Sequence, residues 1–326
     1  MIHEKPHFRN RPEGIDGGFR QQPSPVDRLR KAFKNGRPRL GYERMVKMQL
    51  GDFTVTSVSD GLIRLDGGTL FGIVPKPLWQ QRIAPDRRNR IALGLNCVLI
   101  QTDRGNVLVD TGNGGKRQAL MRQRFGHRSS RLLSEIKAAG LSPNDIDYVL
   151  LSHLHFDHAG GCTRLGAEDA VVPVFPKARY LIQRADWEQF RTPNGRARGS
   201  IFTDDYLPLG DSGQLDLLDG DTEVIPGVWA RVTGGHTHAH QIAVMESGGQ
   251  RAAFLGDLVP TQHHMAPAWI TSVDSFPEET LERKQELLER ANRDNWIVFF
   301  SHDPHNRAGY VDRTDDNKFR LRPVTP

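Results

Sequence analysis

The 326-residue chain has only two cysteines, Cys97 and Cys162. A disulfide framework is therefore excluded as its source of stability, and both thiols are read as free and buried. It also lacks any run approaching the roughly 18 to 20 consecutive apolar residues of a membrane-spanning helix. The first ten residues are charged and have none of the apolar centre of a signal peptide. No membrane partner is expected, and a cytoplasmic location follows by default. No internal repeat of short period is visible. An acidic excess is missing too, since the formal net charge is +5 and the pI about 9.3. That basicity is local: residues 1–44 hold eleven Lys/Arg against five Asp/Glu, a net +6 that leaves −1 for everything after. This Gly/Pro-interrupted arm, with one short helical candidate at 25–34, is read as a flexible extension outside a single domain spanning 45–326. Because the charge sits in a tail, nucleic acid is not expected as a partner.

What is present is concentrated in one stretch. Residues 151–161 read L-S-H-L-H-F-D-H-A-G-G, with three histidines and an aspartate inside six positions, directly after the apolar strand candidate 148–151. On an extended or loop backbone His153 and His155, two apart, share a direction and leave the adjacent Asp157 and His158 free to point elsewhere. That suits two neighbouring metals. Imidazole and carboxylate favour zinc, iron or manganese, and the lone Cys162 offers no thiolate cage.

Further metal-type residues sit at the ends of other strand candidates. His236 lies in T-G-G-H-T-H-A-H after 224–232, Asp257 follows 252–255, and His302 follows 296–300. Asp110, ending a strand pair at 96–101 and 106–110, is read as a cap or as a support behind a ligand. A hairpin is expected at 53–65, turning at Ser59-Asp60-Gly61. Helices are expected at 129–139, at 185–190 and, most clearly, at 277–293, with Leu281, Leu287 and Leu288 on its buried side. Strands in two groups, each accompanied by helices, indicate an α/β layered fold. Residues 69–75 read as an apolar loop. His240 is expected to support the site from behind, and His263 and His264 to line the cleft or face solvent.

The order H-x-H-x-D-H, G-H-T, G-D, H resembles the metallo-β-lactamase superfamily of dinuclear hydrolases over about residues 45–310. The resemblance implies an αββα sandwich, two mixed β-sheets flanked by helices, with two divalent metal ions, Zn2+ expected, at one edge. Carried over, His153, His155 and His236 would hold the first ion, Asp157, His158 and His302 the second, and Asp257 would bridge them. Asp110 would support the site without ligating. Residues 66–76 and the closing F-S-H-D-P-H are similar to the branch of YtnP-like quorum-quenching lactonases and methyl parathion hydrolases. The smaller N-acyl-homoserine lactonases have a tyrosine three residues after the bridging aspartate, where this chain has Pro260, so any role of that tyrosine is unfilled.

The expected chemistry is hydrolysis of a lactone or related ester, N-acyl-homoserine lactones first, by a hydroxide shared between the ions, with Asp157 and Asp257 as catalytic carboxylates and Asp257 or a water on it moving the proton. A small-molecule ester or lactone is the expected partner; a homodimer is left open. The alternative is phosphotriester hydrolysis, with a superfamily nuclease behind it. A single-iron dioxygenase is disfavoured by Asp157, His158 and His302, and a flavodiiron enzyme by His155 and the missing flavin domain. Leu70, Phe71, Ile73, Val74, Trp269 and Ile270 are expected to wall an apolar substrate pocket.

Overall fold

The structure, a computed structural model, describes residues 45–324, so the basic arm and its helical candidate lie outside the described residues. The first half of the domain supplies strands β1 (Lys47–Leu50), β2 (Phe53–Asp66), β3 (Arg90–Thr102), β4 (Gly105–Val109), β5 (Tyr148–Leu150), β6 (Thr163–Leu165), β7 (Val171–Pro173), β8 (Arg179–Gln183) and β9 (Leu215–Leu218). The second half supplies β10 (Thr222–Ile225), β11 (Val228–Val232), β12 (Gln241–Ser247), β13 (Gln250–Phe254), β14 (Ile297–Phe299), β15 (Ala308–Arg313) and β16 (Phe319–Pro323). They form a seven-stranded sheet β1-β2-β3-β4-β5-β8-β9, a second in the order β10 to β16, and the small pair β6-β7. Both large sheets are mixed: the first is antiparallel up to β4 and parallel from there on, and in the second only β13 and β14 pair in parallel.

Strand alternation builds the layers. Val98, Ile100, Val107 and Leu150 of the first sheet meet Ala243, Met245, Phe254 and Phe299 of the second in one buried cluster. The intervening Cys97, Leu99, Leu108 and Val149 face outward under Leu132, Ile136, Trp187 and Phe190 of helices Leu132–Ala138 and Arg184–Phe190. On the other side Ile242, Val244, Ala253 and Val298 pack beneath Leu288 and Ala291 of helix Pro277–Arg293. The result is the expected αββα sandwich. Both cysteines are buried and free.

Two readings are corrected. Residues 53–65 are not a hairpin but one long strand, β2, whose register against β3 shifts between Ser59 and Leu62. The Ser-Asp-Gly turn signal serves this bulge: the Asp60 carboxylate is buried and accepts the backbone N–H groups of Asn113, Gly114, Arg131 and Leu132, tying two loops to the strand. Conversely, 224–232 is not one strand. It breaks at Pro226-Gly227 into β10 and β11, and Gly227 turns the chain at a φ of 82° that other residues rarely adopt.

The topology also places the site. Since β11 and β13 are each antiparallel to β12, and β13 is parallel to β14, the C-terminal ends of these three strands open at one edge of the second sheet. His236, Asp257 and His302 are delivered there.

Candidate metal centre

All seven sequence-derived residues converge. His153 Nε2 lies 2.9 Å from His155 Nδ1, which is 3.1 Å from His236 Nε2. His158 Nε2 is 3.1 Å from His302 Nε2, and Asp157 Oδ2 is 3.8 Å from the same His302 atom. Asp257 stands between the groups: its Oδ1 is 3.1 Å from His302 Nε2 and 3.3 Å from His158 Nε2, while its Oδ2 is 3.4 Å from His236 Nε2. Three overlapping triads, His153-His155-His236, His153-His158-Asp257 and Asp157-His158-His302, each present their ligand atoms within 4.8 Å of one another.

Local structure explains the placement. After β5 the chain runs extended through His155 and then turns into the short helix Phe156–Ala159, which separates the direction of His153 and His155 from that of Asp157 and His158. The helix lies against the turn that follows β4. A Cβ on Gly161 would fall 2.2 Å from the Thr111 carbonyl oxygen, so the second glycine of H-A-G-G is required by close approach of backbone. Lys116, almost wholly buried, donates to the Gly160 and Thr163 carbonyls and pairs with Asp205 at 2.7 Å, fixing the far end of the same segment.

The outward nitrogens decide which way each ring presents its lone pair. His302 Nδ1 donates to the Gly94 carbonyl (2.8 Å), His158 Nδ1 to Asp110 (2.7 Å) and His236 Nδ1 to Asp274 (2.9 Å). His153 Nδ1 contacts Ser152 Oγ at 3.0 Å, and that hydroxyl donates to Asp110. With the outer nitrogens protonated, the inner ones face one another and Asp257 in a buried space, an arrangement that is repulsive unless protons or metal cations sit among them. The donor set therefore fits divalent metal ions. Asp110, at a φ of 59°, and His240 support the centre as expected: His240 Nε2 accepts the Asp257 N–H (3.0 Å), so its protonated Nδ1 donates to Thr233 Oγ1 (2.7 Å).

Electrostatics agree. Burial, reinforced by neighbouring imidazoles, pushes His153 and His155 well below the usual imidazole range. Burial acts on His158, His236 and His302 as well, but Asp257 beside each, joined by Asp110 at His158 and Asp274 at His236, outweighs it and lifts them. Asp257 is held well below the usual carboxylate range, against its burial, by His302, His158 and His236. Protons are held where metal ions would bind, so metal uptake must displace them.

Asp274 gave no signal in the sequence, because no strand precedes it and it reads as a turn residue before helix Pro277–Arg293. The structure buries it, with Thr271 Oγ1 (2.5 Å), Thr280 Oγ1 (2.7 Å) and His236 all donating to its carboxylate. His264 is also buried, its Nε2 donating to the Leu70 carbonyl, while His263 is half-buried and His238 exposed.

A cavity of about 220 Å3 opens onto His155, Asp157, Asp257 and His302, and its apolar wall comes from Leu65, Leu70, Leu93, Phe125, Phe156 and Val273. Of the six residues expected to wall a pocket only Leu70 does so. Residues Gly67–Phe71 form a helix capped by the Asp66 carboxylate, which turns Phe71 away from Leu70 to stack on Trp79 and His264. Val74 is buried, Ile73 is 88% exposed, and Trp269 packs edge-on against Phe71. Phe125 and Phe156, stacked at 4.9 Å, take the place of the missing wall. A larger cavity, about 690 Å3 beside Trp187 and Leu207, touches none of the seven residues.

A mixed αββα sandwich with this cluster at its edge defines a metal-dependent hydrolase. The chain belongs to the metallo-beta-lactamase superfamily, whose model matches residues 91–302. Among curated proteins it is similar to an N-acyl homoserine lactonase of Bacillus cereus, at 30% identity over 68% of this chain and 86% of the relative. A second lactonase, from Bacillus thuringiensis, is 28% identical over 64% of this chain and 80% of its own. Among solved structures, a probable metal-dependent hydrolase from Staphylococcus aureus superposes with a TM-score of 0.77 at 32% identity, covering 86% of this chain and all (100%) of that one. A dizinc quorum-quenching lactonase in complex with the product N-hexanoyl-L-homoserine gives 0.73 at 20% identity, covering 87% and 99%, a likeness of fold.

Proposed function

We propose that the protein is a dinuclear hydrolase that opens lactones, N-acyl-homoserine lactones first among them, with zinc as its metal. His153, His155 and His236 would hold one ion, Asp157, His158 and His302 the other. The observation that carries the two-ion reading is the division of Asp257, whose Oδ1 faces His158 and His302 while Oδ2 faces His236. Bound there, divalent ions would supply Lewis acidity, lowering the pKa of water toward about 7 and polarising an ester carbonyl.

The chain's own residues do the rest. Asp257, between His158 and His302 on one side and His236 on the other, is the carboxylate placed, directly or through a water it holds, to move the proton as water attacks. Asp157 is the second carboxylate at the cavity. Leu65, Leu70, Leu93, Phe125 and Phe156 exclude water and offer an acyl chain an apolar wall. At the position of the missing tyrosine, the Pro260 carbonyl accepts the His302 N–H at 2.8 Å, so this residue positions a ligand by its backbone and leaves protonation of the departing alkoxide to another group. The lactonase relatives support the substrate class, and the apolar wall supports the acyl tail.

The test is a panel on purified metal-loaded enzyme: acyl-homoserine lactones of increasing chain length, aryl esters, a phosphotriester and a β-lactam. Each enclosed methylene contributes up to about 0.8 kcal/mol, so kcat/KM should climb up to severalfold per methylene and level off once the cavity is filled. A flat or falling series removes the acyl wall from the argument, and turnover confined to the phosphotriester replaces the lactone reading.

A further inference from the structure

The cavity over the candidate centre has a neighbour. A second cavity of about 260 Å3, lined by Gln189, Phe190, Asn194, Ala197 and Ser275 among others, also reaches His155. The two share His155, Arg196, Ser200 and Val273 as walls, so they adjoin along these residues, which stand at the boundary between them. The boundary is made from two separate pieces of chain. One is the Gly/Pro-interrupted strap around 193–201, anchored where the Ser200 carbonyl accepts the Phe156 N–H at 2.9 Å and where Asn194 Oδ1 caps the N–H groups of Arg196 and Ala197. The other is the 271–275 turn that carries Asp274.

A single side chain joins them. Arg196 Nη2 donates to the Ser272 carbonyl at 3.0 Å and to the Asp274 carbonyl at 2.9 Å, across the cleft from its own segment. Two charge-assisted bonds to backbone hold the strap against the turn more firmly than neutral contacts would, and Val273, between the two accepting residues, is thereby held in the wall. The second cavity is less apolar than the first: Gln189, Asn194, Ser272 and Ser275 join Phe190, Ala197 and Val273 in its walls, against the leucines and phenylalanines of its neighbour.

We infer that Arg196 is a specificity-determining latch: by pinning the strap to the 272–274 carbonyls it keeps the apolar cavity narrow and separate, so that the site selects an unbranched acyl group and rejects a branched one that would need both cavities. The inference takes ester or lactone hydrolysis from the proposed function and adds the shape of the acyl group. It does not require Arg196 to touch the metals, whose ligands are oriented by Asp110, Asp274 and Gly94.

The experiment compares wild type, Arg196→Met, which keeps an unbranched stem and removes the donors, and Arg196→Lys, which keeps the charge and a donor. Each is metal-loaded and assayed on para-nitrophenyl hexanoate, on its branched isomer the diethylacetate, and on N-hexanoyl-homoserine lactone, with metal content and melting temperature measured alongside. Arg196→Met is expected to lower the preference for the straight ester over the branched one by about tenfold or more, chiefly through KM, at unchanged metal content, and Arg196→Lys to restore most of it. A change by one common factor on both esters, or no change in their ratio, overturns the latch and leaves Arg196 a structural residue. Ester turnover without lactone turnover in every variant rejects the lactone reading while the ester pair still judges the latch. No turnover of any of the three by metal-loaded wild type rejects both.

Discussion

Lys284 offers a sharp test of the packing around the site. Helix Pro277–Arg293 was expected to bury leucines, but only Leu288 of the three is fully buried, and the lysine one turn earlier is fully enclosed, its Nζ donating to the carbonyls of Ala266 (3.2 Å) and Trp269 (2.8 Å). It thus holds the segment between Asp257 and Asp274 from beneath. Burial lowers its pKa from 10.5 to about 7, with Asp274 opposing the shift. Below pH 7 folded and unfolded chains both carry the proton, and the native state bears the full penalty of a buried ammonium. Between about pH 7 and 10.5 the unfolded chain holds a proton that the folded chain lacks, so stability rises with pH. Integrating the linkage from pH 7 to 9 gives a gain on the order of 2 kcal/mol from this residue, at roughly 1.4 kcal/mol per pKa unit. Lys284→Met removes the titration. It also leaves two carbonyls without a donor, at about 1 to 3 kcal/mol each, but that cost does not depend on pH. Urea unfolding of metal-saturated wild type and variant at pH 7 and pH 9 separates the effects, because the titration of every other group is common to both. Wild type should gain about 2 kcal/mol on the variant over that interval. Parallel profiles would show that Lys284 keeps an ordinary pKa and that the reasoning from burial is wrong.

Two further outcomes follow from the same geometry. Asp274→Asn keeps the shape but weakens the acceptor for His236 Nδ1–H, Thr271 and Thr280; affinity for metal at His153, His155 and His236 should fall about 10- to 100-fold in competition with a chromogenic chelator, and an unchanged affinity would show that His236 is oriented without it. Metal affinity should also weaken as pH falls from 8 to 6. The raised pKa values of His158, His236 and His302 mean that protons compete at pH 6 and above, so a pH-independent titration would contradict the lifting of those imidazoles by Asp257.

What the sequence made legible follows from how the site is built. His153, His236, Asp257 and His302 each stand just past a short apolar strand, so strand pattern and ligand chemistry lie next to each other in the chain and can be read together. Asp274 supports the centre just as directly, yet it sits in a turn stitched by Thr271 and Thr280, and only the fold brings it to His236. Gly94 contributes a carbonyl, which no residue type announces. The pocket wall failed for a related reason. Phe71 and Leu70 are equally apolar and adjacent, and the helix that starts at the Asp66 cap sends one to the cavity and the other to Trp79. Ligand identity is written in residue type, whereas wall identity depends on side-chain direction. Substrate selectivity in this protein therefore rests on the features least visible in its sequence: the facing of Phe125 and Phe156, and a latch joining Arg196 to carbonyls 76 and 78 positions away. Relatives that share the seven site residues need not share a substrate, because nothing in the ligand motif constrains the strap or the turn to which it is pinned.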